Sequence, residues 1–257
     1  MLIILGGLGY IVWWDILRVF HQFPQKRFRC LKHLTLHSKI VLSSTAVLIV
    51  GGAVVILLLE YHNPLTIGSL SLGNKIQISL FQSVTTRTAG FASVPQENLT
   101  DATALFSLIL MFVGGSPVGT AGGIKTTTVA VMMATMITAI RGKDQVCMFR
   151  RSLPKEVTRL AVSVFSASFC IATVSTILLS IGSGASVLDV LYESVSATAT
   201  VGLSRNLTSV LNLFSKFVVI GTMYLGRVGP ISLVFALNVR RKDTNNIKNP
   251  TENLIVG

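Results

Sequence analysis

The segment Phe81-Gln82-Ser83-Val84-Thr85-Thr86-Arg87-Thr88-Ala89-Gly90-Phe91 is a short amphipathic run that ends in Thr-Ala-Gly. Stretches long enough to cross a bilayer lie on both sides of it. A close echo follows as Tyr192-Glu193-Ser194-Val195-Ser196-Ala197-Thr198-Ala199-Thr200-Val201-Gly202, one residue longer before its glycine. Each copy reads aromatic, amide or acid, Ser-Val, then small and hydroxylated residues that finish in Thr-small-Gly. Dense Thr and Gly at membrane depth make a poor anchor. They suit unwound backbone that presents carbonyl oxygens to a dehydrated cation.

Composition sets the surroundings of these segments. The chain has 257 residues, 51% of them hydrophobic and only 12% charged, which is the profile of a polytopic membrane protein. Uncharged runs cover residues 40–59, 102–124, 126–140 and 160–188. A span needs roughly 20 apolar residues, so several of these qualify. Residues 217–239 qualify as well if Arg227 is tolerated inside them. The net charge of +12 raises the question of a nucleic-acid partner, and its distribution answers it. Sixteen of the 22 Lys and Arg fall within residues 18–39, 141–159 and 240–248. Lys75, Arg87, Arg205 and Lys216 fall in the alternate connections, while Lys125 and Arg227 lie inside apolar runs. That asymmetry is the positive-inside pattern, which puts the basic blocks in the cytoplasm and excludes a nucleic-acid surface. Cys30, Cys147 and Cys170 have neither C-x-x-C spacing nor neighbouring His, and read as unpaired.

Taken in order, residues 1–20 read as the cytoplasmic end of a helix whose outer half is missing, and 21–39 as a basic cytoplasmic connection near lipid headgroups. Residues 40–59 make a complete span, 60–75 an external loop, and 76–86 a re-entrant helix too short to cross. Thr100 or Asp101 is the expected N-cap of the next helix. The run Gly114-Gly115-Ser116-Pro117-Val118-Gly119-Thr120-Ala121-Gly122-Gly123 cannot continue that helix, because each Gly costs about 1 kcal/mol and Pro about 3. Helix resumes at Ile124, and 141–159 form a second basic connection. The order then restarts: a span from residue 160, a short helix over 187–198, a span over 217–239 and a polar tail over 240–257.

Internal matches support the layout. Met111-Phe112-Val113-Gly114 matches Met223-Tyr224-Leu225-Gly226, and Leu5-Gly6-Gly7-Leu8-Gly9 matches Leu225-Gly226-Arg227-Val228-Gly229. Gly90 and Gly202 are 112 residues apart, as are Gly114 and Gly226. The expected fold is therefore all-α and polytopic. It comprises span, re-entrant loop, span repeats at 40–140 and 160–239, plus the end of an earlier repeat.

A short helix that stops mid-membrane aims its partially negative C-terminal end at a cation. Thr88, Ala89, Gly90 and Phe91, with Thr200, Val201, Gly202 and Leu203, would then supply backbone carbonyls. Oxygen ligands without a carboxylate favour a weakly hydrated monovalent ion over Mg²⁺ or Ca²⁺. The rival reading is helix packing by small residues, against which two matched copies in matched positions speak. The loop 114–123 is placed as a gate under this filter, with a passive helix break as its alternative. Arg227, costly inside a span, is expected to reach carbonyls of the loop and set an electrostatic barrier. An enzyme is not expected. Gly119–Thr126 lacks the glycine before Lys125 that a phosphate loop needs, and Ser116 has no His at its depth to serve as base.

Thr86-Arg87-Thr88-Ala89-Gly90-Phe91, Gly122-Gly123-Ile124-Lys125-Thr126-Thr127-Thr128 and Thr200-Val201-Gly202-Leu203-Ser204 together resemble the Trk/Ktr/HKT superfamily of potassium transporters. The nearest resemblance is to the KtrB-type membrane subunits of bacteria, over residues 5 to about 237. The resemblance implies four repeats arranged pseudo-fourfold around one potassium-channel-like pore, each with one filter glycine. Gly90 and Gly202 would be the third and fourth, which makes this chain the C-terminal half of a pore. It further implies a gate built from Gly114, Gly115, Ser116, Gly119, Gly122, Gly123 and Lys125 with Arg227. The implied setting is the bacterial plasma membrane, as a multi-pass homodimer that works with a KtrA-type cytoplasmic nucleotide-binding ring. Potassium is the substrate, sodium a candidate coupling ion, and no cofactor is expected. The alternatives are a non-conducting scaffold and a two-repeat subunit that dimerises to complete one pore.

Overall fold

The computed structural model describes residues 1–21, 33–143 and 145–229. Most of the first basic connection with Cys30, the end of the last expected span and the tail 240–257 lie outside the described residues. The described chain is mostly helical. Helix α1 covers Leu2–Gly7 and α2 Tyr10–His21. Next come α3 over Leu36–Glu60, α4 over Leu72–Thr85, α5 over Asp101–Phe112 and α6 over Thr126–Ile140. A small antiparallel hairpin, β1 over Cys147–Met148 and β2 over Arg151–Ser152, leads into α7 over Lys155–Ser183. Helices α8 over Val187–Thr198 and α9 over Leu213–Val228 complete it.

Sequence explains most of the helix ends. Thr35 caps α3 by accepting from the Ser38 amide at 3.2 Å, and Thr100 caps α5 from the Thr103 amide at 3.3 Å. Ser186 caps α8 from the Asp189 amide while its hydroxyl donates to the Asp189 carboxylate at 2.7 Å. Asn212 caps α9 from the Ser215 amide at 2.8 Å. Helix α7 stops where Gly184 turns left-handed, at φ 60°.

Helices α3 and α7 have 25 and 29 residues and are apolar enough to cross a membrane. At about 1.5 Å per residue each exceeds a hydrocarbon core of roughly 30 Å. The lateral surface agrees. Val47, Leu58, Ile109, Phe169, Ile181 and Phe217 are exposed, whereas Ser38, Thr45, Ser79, Ser83, Thr103 and Ser107 are buried. Apolar outside and small polar inside inverts a water-soluble surface and suits a hydrocarbon solvent. Buried hydroxyls tie helices together, as in Thr222 to Ser175 at 2.9 Å and Ser194 to the Ala172 carbonyl at 2.9 Å.

Several expectations need correction. Residues 1–20 do not form one helix. The chain breaks at Leu8-Gly9, with Gly9 at φ 76°, and α2 continues on the far side. Helix α6 begins at Thr126 rather than Ile124, because Ile124 pairs with Val113 in an isolated bridge. Arg87 lies in no aqueous connection; it is buried. Arg227 is not mid-helix but on the last turn of α9, two residues before Gly229 at φ 81°, and its side chain is exposed. The Cys147–Ser152 hairpin was not anticipated. Cys147 and Cys170 are free and exposed.

Candidate cation-binding site

Helices α4 and α8 end at Thr85 and Thr198, and each is followed by a turn with the same backbone signature. Thr88 and Gly90 have φ of 64° and 75°; Thr200 and Gly202 have φ of 54° and 92°. Left-handed residues two apart bend the chain so that its amides turn back toward the helix. Ala89 and Gly90 donate to the Thr85 carbonyl at 3.1 and 3.3 Å, and Phe91 donates to Thr85 Oγ1 at 2.8 Å. In the second turn Val201 donates to the Ser196 carbonyl at 2.9 Å and Gly202 to Ser196 Oγ at 3.2 Å. One hydroxyl, six residues upstream, closes each turn. The extra residue of the second copy is absorbed there, since Thr85 closes onto Phe91 and Ser196 onto Gly202 itself.

The carbonyls behave differently from the amides. Those of Thr88, Ala89, Gly90, Thr200, Val201 and Gly202 accept no hydrogen bond among the described residues. A buried or half-buried carbonyl normally finds a donor. Five of these six residues are buried or half-buried and Gly202 is exposed, so their carbonyls could accept from a ligand. Phe91 is the exception, because its carbonyl accepts from Thr85 Oγ1 at 2.7 Å. Leu203 also serves the core: its side chain packs with Tyr192, Val195 and Val201. The two turns meet backbone to backbone. A Cβ on Gly90 would collide with the Val201 carbonyl and stand 3.3 Å from the Gly202 Cα.

Residues 114–123 lie directly against the second turn. A Cβ on Gly122 would run into the Thr200 side chain and stand 2.8 Å from the Ala199 carbonyl; one on Gly123 would be 3.2 Å from Ala199 Cβ. The neck of the loop is closed by Gly114 donating to Ile124 at 2.9 Å and Thr126 donating to Gly115 at 3.0 Å. Its far side is tethered in two directions. Ser116 donates its amide to the Gly7 carbonyl at 2.9 Å and its hydroxyl to the Leu8 carbonyl. Those carbonyls are free because the helix breaks at Leu8-Gly9. From the other direction Arg227 Nη1 donates to the Thr120 carbonyl at 2.9 Å, and Lys125 Nζ donates to Ala121 at 2.6 Å. Lys125, Arg227 and the glycines 119, 122 and 123 line a cavity of about 470 Å³.

Sequence reasoning missed Arg87. Its guanidinium is buried beside the first turn, where Nη2 donates to the Gly114 carbonyl at 3.3 Å and reaches Thr45 Oγ1 at 3.5 Å. The signal was present: an Arg between a re-entrant helix and its glycine has no room for an aqueous loop. Among the described residues no group of three or more His, Cys, Asp or Glu could hold a metal ion.

Comparison with known proteins places this architecture. The model of the TrkH family, described as a cation transport protein, matches residues 1–247. The Ktr system potassium uptake protein B of Bacillus subtilis is 35% identical over the whole chain, which covers 55% of that protein. The potassium/sodium uptake protein NtpJ of Enterococcus hirae is 36% identical, again over the whole chain and 56% of its own length. The chain thus spans about half the length of the curated relatives it matches. The crystal structure of the potassium transporter TrkH from Vibrio parahaemolyticus superposes with a TM-score of 0.68 at 17% identity, covering 91% of this chain and 50% of that one. This chain belongs to the TrkH family of cation transport proteins.

Proposed function

We propose that this chain supplies two of four selectivity segments in the pore of a Ktr/Trk-type potassium uptake system. Spans α3 and α7, re-entrant helices α4 and α8, and helices α5, α6 and α9 form two units of a pseudo-fourfold pore in a bacterial plasma membrane. The observation that carries this reading is the pair of matched turns whose amides are tied back while their carbonyls accept no hydrogen bond among the described residues. Potassium is the substrate because neutral carbonyls replace the shell of a weakly hydrated ion without the charge density that Mg²⁺ or Ca²⁺ requires. The C-terminal ends of α4 and α8 add a partial negative charge at the same place.

In this reading the loop 114–123 is the gate, held beneath Thr200 by Ser116 on one side and Arg227 on the other. Arg227 and Lys125 place positive charge in the path and limit cation flow until the loop moves. The regulator is a KtrA-type cytoplasmic ring, the working form is a homodimer, and sodium is a candidate coupling ion. The test is potassium uptake at limiting external potassium by cells lacking their own uptake systems. The chain is expressed with a KtrA-type partner, as the 257 residues and with any upstream coding sequence joined to it. Uptake that loses its preference for potassium over sodium in Gly90→Ser and Gly202→Ser supports the pore. Uptake indifferent to both substitutions refutes it and leaves a non-conducting scaffold.

A further inference from the structure

Behind the two filter turns, one buried side chain joins α4 to α8. Gln96 sits on a short 3-10 turn, Gln96–Asn98, in the chain that leaves the first filter. Its Oε1 accepts from Gln82 Nε2 at 2.7 Å and from the Tyr192 hydroxyl at 3.0 Å. Its Nε2 donates to the Val94 carbonyl at 2.8 Å and to Gln82 Oε1 at 3.3 Å. Relative exposures of Gln82, Gln96 and Tyr192 are 1%, 3% and 0%, so water does not compete for these bonds. The donor to the Val94 carbonyl must be the amide nitrogen, which fixes the orientation of Gln96 and, through the paired amides, that of Gln82. Among the described residues, Gln96 alone hydrogen-bonds to side chains of both short helices.

Each end of this chain of bonds leads to a filter. Gln82 lies three residues before Thr85, whose hydroxyl holds both the amide and the carbonyl of Phe91. Tyr192 packs in the cluster that contains Val201 and Leu203 of the second turn. A displacement of either helix is therefore passed to the other through Gln96. The bridge is also uncharged, so it fixes spacing without adding a field beside a permeating cation. Carbonyl selectivity depends on how many oxygens surround the ion and at what distance. The two turns approach so closely that a Cβ on Gly90 would meet the Val201 carbonyl and the Gly202 Cα, so a shift of one turn changes the spacing of both.

We infer that Gln96, with Gln82 and Tyr192, is a positioning element that sets the mutual spacing of the two filter turns and thereby ion discrimination. The inference rests on the proposed potassium pore, and its test separates the two. Tyr192→Phe removes one hydroxyl and leaves the amide pair; Gln82→Leu combined with Gln96→Leu removes the bridge and leaves apolar groups of similar size. Potassium and sodium uptake rates are compared, and amide hydrogen exchange is followed through the chain. A lost hydrogen bond predicts that Tyr192→Phe lowers the potassium preference about fivefold and speeds exchange at residues 89–91 by a similar factor. Those amides belong to the filter that Tyr192 does not adjoin, while exchange in α3 and α7 stays unchanged. Even acceleration throughout the chain would mean a merely structural contact and overturns the inference. So does unchanged discrimination in both variants, with or without faster exchange. Absence of any potassium preference in the parent chain refutes the proposed pore, and with it the role in discrimination.

Discussion

The guanidinium of Arg87 donates to the Gly114 carbonyl across 3.3 Å, joining the residue just before the Thr88–Gly90 turn to the first residue of the glycine-rich loop. Both partners are buried, and Thr45 is the only other hydrogen-bond partner of that guanidinium among the described residues. Arg87→Met keeps much of the side-chain volume and leaves the Gly114 carbonyl without this donor. The expected cost is about 1–3 kcal/mol, visible as earlier thermal unfolding in detergent. Arg87→Lys keeps the charge but not the planar fork, so it recovers only part of the loss. A methionine variant as stable as the parent would show that the contact does nothing.

Gly90 and Gly202 are not equivalent. Both have positive φ, so alanine is strained at either. At Gly90 a Cβ also collides with the Val201 carbonyl, whereas at Gly202 the nearest atom is the Gly90 Cα at 3.7 Å. Gly202→Ala should cost roughly the 1–2 kcal/mol of a left-handed residue with a side chain. Gly90→Ala should cost more and, in the proposed pore, change potassium discrimination more. Thermal unfolding and paired uptake rates check the order, and equal effects at the two sites would contradict it.

What could be read in the sequence was what is local. The short helix over Val187–Thr198, the cap at Thr100 and the break after Phe112 follow from run length, hydroxyl placement and glycine density. The echo between Leu5–Gly9 and Leu225–Gly229 was visible, but not that the break at Leu8-Gly9 frees carbonyls for Ser116, 108 residues away. The burial of Arg87 was legible from its place between a short helix and Gly90, but its hydrogen-bond partner Gly114, 27 residues on, was not. The Cys147–Ser152 hairpin turns through Phe149 and Arg150 at φ 48° and 65°. Asn-Gly is the usual signal for such a turn, and neither residue gives it.

Glu60 illustrates a buried acid with a structural task. Its carboxylate accepts from the Thr100 amide at 2.9 Å, Thr100 Oγ1 at 2.8 Å, Thr66 Oγ1 at 2.6 Å and Asn63 Nδ2 at 2.7 Å. It thereby joins the end of α3, the turn that follows and the N-cap of α5. Glu60→Gln replaces one acceptor oxygen with a donor that faces other donors. A loss of about 2 kcal/mol is expected, comparable to breaking hydrogen bonds to a charged group. In the proposed pore, potassium discrimination should change less than in Gly90→Ala, because the hydrogen bonds of Glu60 go to neither the Thr88–Gly90 nor the Thr200–Gly202 turn. Thermal unfolding and uptake measured on the same samples separate the two effects.

The tethers of the loop predict how it is released. Ser116 holds it to the Gly7 and Leu8 carbonyls and Arg227 holds Thr120, only four residues along the same short loop. Ser116→Ala removes the hydroxyl bond and leaves the amide bond, so the loop should stay in place but open more often. Losing one bond of about 1 kcal/mol predicts roughly fivefold faster amide exchange across residues 114–123. Arg227→Gln should loosen the loop from the other side and also remove a positive charge from the path. In the proposed pore it therefore raises cation flow in the absence of the regulatory partner more than Ser116→Ala does. Because the two contacts share one loop, the double variant should depart from the sum of the singles. Strict additivity would show that the two tethers act independently, and a leak in Ser116→Ala as large as in Arg227→Gln would show that the charge of Arg227 contributes nothing to closure.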